Sequence, residues 1–214
     1  MTATLYFSRN PNPRLAVAVA RHLAAPVKLE WAAPLAPGQA EHFRHLNPSL
    51  RLPILAEEGG SLWEADAIAC RLSQMTGSNF WRNGAELPDM IRWISWARDN
   101  FTRACDTVYF EHGTKQRYRV GAVDEALVAK GLANFHESAA ILDAQLRQRD
   151  WVLASGPSYA DFRMACFLPF NDVARLPLAD YPAVTAWYER LMDLSAWADP
   201  FAGLHAPELP PVSC

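Results

Sequence analysis

Hydrophobic and polar positions along this chain follow two regimes. Over the first third, short alternating stretches trade places with compact apolar helical ones. Ala3–Phe7 alternates and carries aromatic residues, which predicts a strand. Arg14–Ala24 is rich in Ala and Val with Leu near both ends and predicts a helix. Val27–Trp31 alternates again and reads as a second strand. Residues 37–46 fit either a short helix or an irregular loop. Two short apolar runs, Pro53–Ala56 and Ser61–Trp63, flank Glu57-Glu58-Gly59-Gly60, the pattern of a hairpin with a glycine turn. A proline opening the first of these strands has no N–H to give to a ladder, so it suits a strand start. Ala65–Met75 is the next helix. Glu64 and Asp66 stand at its start, where the helix dipole favours carboxylates, and Gly77 suits its end.

The second regime begins after Thr76-Gly77-Ser78-Asn79. Phe80–Pro88 reads as a connector, and no convincing strand follows it. The 3.6-residue spacing predicts helices over Asp89–His112, Asp124–Arg149, Ser158–Asp172 and Pro182–Leu194. Gly131 costs the second of these about 1 kcal/mol relative to Ala, and Pro169 is expected to kink or end the third. Ser158-Tyr159-Ala160-Asp161 has the spacing of a capping box, with Asp in the place of the usual Glu or Gln. Pro207–Cys214 is a proline-rich tail that docks or frays. No internal repeat or low-complexity tract is present.

Composition narrows the partners. The chain has 214 residues, a formal charge of −3 and no basic block, so neither nucleic acid nor an anionic membrane is an expected partner. No apolar run approaches the roughly 20 residues of a membrane span, and the N-terminal residues lack the pattern of a secretory signal. Cys70, Cys105, Cys166 and Cys214 are widely spaced, without a Cys-x-x-Cys pair or a histidine partner, so no metal site is expected. The first three fall in apolar helical patterns and are expected to be buried thiols. A reducing cytoplasm is the expected compartment. The six histidines show no triad pattern, and the eight tryptophans are explained by stacking in a helical core.

The stretch Asn47-Pro48-Ser49-Leu50-Arg51-Leu52-Pro53-Ile54-Leu55, followed by Ser61-Leu62-Trp63-Glu64-Ala65-Asp66-Ala67-Ile68, resembles the glutathione-binding half of the cytosolic glutathione transferases. The order β-α-β-α-β-β-α resembles a thioredoxin-like α/β unit. Phe80-Trp81, then Ile91-Arg92-Trp93-Ile94-Ser95-Trp96, is similar to the family's linker and first long helix. Trp151–Phe167 is similar to its helical-domain cap, in which an Asp at position 161 is a buried folding element and not a catalytic one. The resemblance covers nearly the whole chain. It implies a thioredoxin-like α/β N-terminal domain over residues 1–77 and an all-α C-terminal domain over residues 87–214, the latter forming the acceptor-substrate side.

The same resemblance implies the site residues. Pro53 is expected to be cis, turning the Leu52 backbone outward to pair with the cysteinyl part of glutathione. Glu64 meets the γ-glutamyl ammonium. The helix N-terminus at Ala65 offers N–H groups to the γ-glutamyl carboxylate. Ala65 departs from the family's usual Ser, so one hydroxyl contact is missing, worth about 1.5–3 kcal/mol. Arg51 either reaches the glycyl carboxylate or is a solvated hairpin residue.

The thiol-activating position lies in Tyr6-Phe7-Ser8-Arg9-Asn10-Pro11-Asn12-Pro13-Arg14. Many bacterial relatives have Cys here, and this chain has none. The run is similar to the nu-class bacterial enzymes, in which a Thr and an Asn surround such a Pro. Asn12 matches that Asn, and Asn10 stands where the Thr would be. Asn12 also suits an N-cap and Pro13 the first helical position. Ser8 and Tyr6 are the fallback donors. A free thiol has a pKa of about 8.5, and lowering it by about 2 units takes roughly 2.7 kcal/mol. One amide donor plus a helix N-terminus is enough for that.

The function so implied is a glutathione transferase-like enzyme without metal or nucleotide. Glutathione is its co-substrate, a small hydrophobic electrophile or disulfide its second substrate, and a homodimer its expected assembly. Arg103, Tyr109 and Phe110 either line an acceptor pocket or serve as core or dimer contacts. Two alternatives stay open: a non-catalytic protein-interaction module of the same fold, and a glutathione-dependent isomerase or disulfide reductase.

Overall fold

The computed structural model describes residues 3–212 and divides into two compact units. The first runs to Trp81 and also takes in Leu194–Glu208; the second holds Arg82–Asp193 and picks up the chain again at Leu209. The stretch 194–208, read from sequence as part of the helical domain, thus clusters with the α/β unit. Cys214 lies outside the described residues.

The first unit is built on a four-stranded sheet of order β2-β1-β3-β4. Its strands are β1 (Ala3–Phe7), β2 (Val27–Trp31), β3 (Ile54–Glu57) and β4 (Gly60–Trp63). β1 runs parallel to β2 and antiparallel to β3, and β3 and β4 form the hairpin. The helix α1 (Pro11–His22) connects β1 to β2, α2 (Ala40–Arg44) lies between β2 and β3, and α3 (Ala65–Thr76) follows β4. Strand alternation separates the two faces of the sheet. Phe7 packs with Val17 of α1, while Ile54 and Tyr6 pack toward Phe43 of α2. α3 ends on Gly77 at φ 66°, the left-handed conformation that glycine adopts without penalty.

Three predicted elements differ. α1 starts at Pro11 with Asn10 at the N-cap position, so Asn12 is not the cap and Pro13 is not the first helical residue. Both prolines fit a first turn, and the chain seats the earlier one at its start. The long helix predicted over 89–112 breaks at Asn100, whose backbone leaves helical space (φ −123°, ψ −93°), giving α4 (Leu87–Asp99) and α5 (Phe101–Tyr109). After α5 a π-turn over Phe110–Thr114 leads into α6 (Lys115–Tyr118). The helix predicted over 158–172 is three short pieces: α8 (Tyr159–Met164), a 3-10 turn at Leu168–Phe170 that contains Pro169, and α9 (Asn171–Ala174).

The second unit is helical among the described residues. Its longest element, α7 (Glu125–Leu146), has Asp124 as N-cap, accepting from the Ala126 and Leu127 N–H groups. Gly131 sits where α7 meets α5, and a Cβ there would lie 2.8 Å from Val108 Cγ2. The missing side chain permits that close approach. α10 (Pro182–Met192) is capped across space by buried Asp143, which accepts from the Ala183 N–H at 2.8 Å and pairs with Arg147 at 2.7 Å.

The capping box at Ser158 is formed. Asp161 is fully buried and accepts from the Val152 N–H (2.8 Å), the Ser158 N–H (2.9 Å) and Trp187 Nε1 (3.0 Å). One carboxylate therefore ties a loop, a helix start and a distant helix together. Burial pushes its pKa up, and the donated hydrogen bonds oppose that push. α11 (Ser195–Ala198) belongs to the first unit and packs on α1. Cys105 and Cys166 are buried, whereas Cys70 is only partly so. Burial pushes the Cys105 thiol far above its ordinary value.

Candidate functional site

The register of the sheet brings the sequence-derived residues to one end of it. Ile54 pairs with Tyr6 on one side and with Trp63 on the other. One residue beyond these pairs, the chain reaches Phe7 and Ser8 after β1, Pro53 and Leu52 before β3, and Glu64 and Ala65 after β4. Neighbouring strands are about 4.8 Å apart, so β1 to β4 spans roughly 9.6 Å. Three extended residues span at most about 10 Å. The end of the sheet therefore has the width of a tripeptide.

At the centre of that end, the Leu52–Pro53 peptide is cis, as expected. The ladder starts only at Ile54, and among the described residues no backbone hydrogen bond engages Leu52. The segment before it is held from within. Buried Asn47 donates from Nδ2 to the Arg51 carbonyl at 2.8 Å and accepts from the Ser49 N–H at 3.0 Å. Ser61 of β4 donates to the Leu46 carbonyl at 2.6 Å. Asn47 and Ser61 thus fix the approach to Leu52. Neither was assigned a role from sequence, although Asn-Pro-Ser is an Asx-turn signal that marks Asn47. Arg51 is exposed, with its carbonyl occupied by Asn47 and its side chain at the surface.

On the β4 side, Glu64 is the N-cap residue of α3 and holds φ 75°, ψ 126°. That is unfavourable for any residue with a Cβ, and conformations of this kind concentrate at functional sites. Its side chain is exposed and makes no capping bond. The Glu64 carbonyl accepts from the Ile68 N–H at 3.0 Å, which starts the helix. The first-turn N–H groups from Ala65 onward have no partner inside the helix. Ala65 is buried, so the small side chain packs inward and leaves its N–H at the helix mouth.

On the β1 side, Asn10 donates from Nδ2 to Ser8 Oγ at 3.2 Å, and its carbonyl accepts from the Arg14 N–H. Asn12 is the second residue of α1 and is exposed. Tyr6 points toward the other sheet face, edge-on to Phe43 at 5.4 Å. Arg9, between Ser8 and Asn10, was not singled out from sequence. Its Nε donates to the Ala206 carbonyl at 2.7 Å, its Nη2 pairs with Glu208 at 2.8 Å, and its guanidinium lies 4.7 Å from the Phe201 ring centre. The β1–α1 loop is thus tied to the segment 201–208. No local pattern announces this, because the partners are 197 residues apart.

Known proteins share this architecture. Residues 125–190 match the family described as glutathione S-transferase, C-terminal domain. The structure of maize glutathione S-transferase I in complex with an atrazine glutathione conjugate superimposes with a TM-score of 0.84, at 18% identity, covering 94% of this chain and 96% of that one. The fold is thereby fixed. The chain has the cytosolic-type glutathione transferase fold, and its residues 125–190 are similar to that family's C-terminal domain. Two curated relatives are more similar in sequence. FtsZ-localized protein A of Caulobacter vibrioides is 27% identical over 157 residues, covering 70% of this chain and 69% of the relative. Dichloromethane dehalogenase of Methylophilus leisingeri is 26% identical over 173 residues, covering 74% and 65%. The chain therefore spans about two thirds of the length of each.

Among the described residues no group of His, Cys, Asp and Glu is arranged to hold a metal ion, and no helix is long and apolar enough to cross a membrane.

Proposed function

We propose that this chain is a glutathione transferase enzyme, binding reduced glutathione and activating its thiol for attack on an electrophile or a disulfide. The observation that carries the reading is the pairing of unused main chain at Leu52 with an open helix start at Ala65, at one end of the sheet, with Glu64 held at φ 75°. A zwitterionic peptide is the ligand such a surface suits. The γ-glutamyl carboxylate takes the N–H groups at the start of α3, and its ammonium meets Glu64. The cysteinyl backbone pairs with Leu52 as an added strand does. The glycyl carboxylate is within the reach of Arg51.

The sulfur then faces the β1–α1 loop. Asn10, Asn12 and the Ser8 hydroxyl are its donors, helped by the positive end of α1. In the transfer step the thiolate attacks an electrophilic carbon and the leaving group departs with the bonding pair. With a disulfide, it displaces one sulfur as thiolate. The helical part supplies the acceptor side. The Asn10-Pro11-Asn12 tip supports reading the protein as one of the bacterial non-cysteine enzymes, near the nu class. A cytoplasmic homodimer completes the reading.

A second reading has its own support: the relative FtsZ-localized protein A is named for localisation and not for catalysis. Under it the fold is an interaction module. Calorimetry with reduced and oxidised glutathione separates the two, and turnover of a chloronitrobenzene against a small disulfide then identifies the acceptor. Binding and turnover are expected. No heat of binding at millimolar glutathione overturns the enzyme reading. Asn12→Ala is expected to raise the bound thiol's pKa, and an unchanged thiolate absorbance titration removes Asn12 from the chemistry.

A further inference from the structure

The helical unit holds a second polar feature, made by an irregular helix. Between α5 and α6 the chain passes through the π-turn Phe110–Thr114. A π-turn absorbs one extra residue, and such turns are frequent at functional sites. In a plain α-helix, residues eight apart lie about 80° from each other around the axis. With one residue absorbed they behave as residues seven apart, about 20° from alignment. The turn thus brings Tyr109 and Arg117 to one face.

Both carry donors that the chain leaves unused. Tyr109 is 2% exposed, and its buried hydroxyl proton meets no acceptor. Its ring packs near Phe167 and Phe170, with centroids at 5.9 and 5.1 Å. It also lies over Gly113, where a Cβ would come within 2.8 Å of the ring. Gly113 is therefore what lets the phenol occupy this position. Arg117 Nη1 donates to the Pro210 carbonyl at 2.6 Å, while its Nε is buried and unpartnered, as is Gln116 Nε2. Among the described residues no carboxylate stands within ion-pair distance of Arg117. Burial pushes the Tyr109 phenol up, while the Arg117 charge and a hydrogen bond from the Arg117 side chain to the phenol oxygen pull it back, so the two groups face each other; Tyr118 and Asp172 push it up further. Folded proteins pair nearly all such buried groups. These donors lack an acceptor, and the guanidinium lacks a counter-charge.

We propose that the Tyr109 hydroxyl and Arg117 Nε, aligned by the π-turn, form a binding site for the carboxylate of a small molecule. A planar carboxylate accepts from a guanidinium edge and a phenol together, and its charge balances Arg117. The Pro210 carbonyl already occupies one guanidinium donor, so the group takes an oxygen acceptor where it stands. The route in is the Arg117 side, since that residue is only half-buried. The proposal does not depend on the glutathione reading.

The test is a calorimetric titration of the full chain, without glutathione, with benzoate and with benzamide as its uncharged counterpart. Saturable binding of benzoate and none of benzamide is expected. Arg117→Gln is expected to weaken benzoate at least tenfold, and Tyr109→Phe, which removes one oxygen and keeps the ring, by several-fold. Thermal melts establish that both variants are folded. Equal affinity for benzoate and benzamide, no saturable binding to the wild-type chain, or undiminished binding in folded Arg117→Gln each overturns the proposal.

Discussion

The backbone at Glu64 allows charge and conformation to be tested separately. Glu64→Ala removes the carboxylate but keeps a Cβ at φ 75°. Glu64→Gly removes both. A residue with a Cβ held in such a region costs about 1–3 kcal/mol. Glycine avoids that cost but loses about 0.5–1 kcal/mol more entropy on folding. The Gly variant is therefore expected to be more stable than the Ala variant by about 1 kcal/mol, a rise of roughly 2–4 °C in Tm for a chain of this size. The Glu64 side chain is exposed and makes no capping bond, so Ala itself is expected to leave stability nearly unchanged. Glutathione affinity should fall in both, by about 10- to 150-fold for a lost charged hydrogen bond. Differential scanning calorimetry and glutathione titration read the two effects. A Gly variant no more stable than the Ala variant refutes the claim that the chain holds a costly conformation here. Undiminished affinity in both refutes the ammonium contact.

Three further outcomes test the scaffold. Gly131→Ala gains about 1 kcal/mol of helix propensity but sets a methyl 2.8 Å from Val108 Cγ2, and overpacking costs about 1–3 kcal/mol. A net loss near 1 kcal/mol is expected in urea unfolding, and a gain refutes the close α5–α7 contact. Asp161→Ala strips the acceptor from Val152, Ser158 and Trp187; a loss above about 3 kcal/mol is expected, and a variant within 1 kcal/mol of wild type overturns its role as a hub. His22 packs on Phe80 with ring centres 4.6 Å apart, and burial lowers its pKa below 6.5. The fold then favours neutral imidazole, so its contribution is full above pH 6.5 and is lost as pH falls through the lowered value. His22→Gln should flatten that part of the stability–pH curve, and a parallel curve refutes the assignment.

Strands were legible because alternation and aromatic residues act locally, and all four fall within a residue of their predicted positions. The capping box at Ser158 was legible for the same reason. The start of α1 was not, since Pro11 and Pro13 both satisfy a first-turn position. The break at Asn100 is also hidden: its side chain donates back to the Trp96 carbonyl at 2.9 Å, a bond that the apolar spacing does not reveal. At the candidate site, Leu52, Pro53, Glu64 and Ala65 were singled out because their order along the chain resembles a known arrangement. Asn47 and Arg9 act through bonds to backbone carbonyls, and residue type alone does not signal such bonds. The π-turn that aligns Tyr109 with Arg117 leaves no mark on the hydrophobic period at all.

The contacts of α11 with α1 bear on how this protein is made. Arg14 is buried in the first unit, its guanidinium lying 4.9 Å from the Trp197 ring centre and donating to the Trp197 carbonyl. Those two residues are separated by 183 positions in sequence. A nascent chain that has emerged only through the sheet holds this cation without its cover. The α/β unit must then wait, partly assembled, until most of the helical unit has been synthesised. Vectorial folding, one unit finished before the next begins, is not open to this chain.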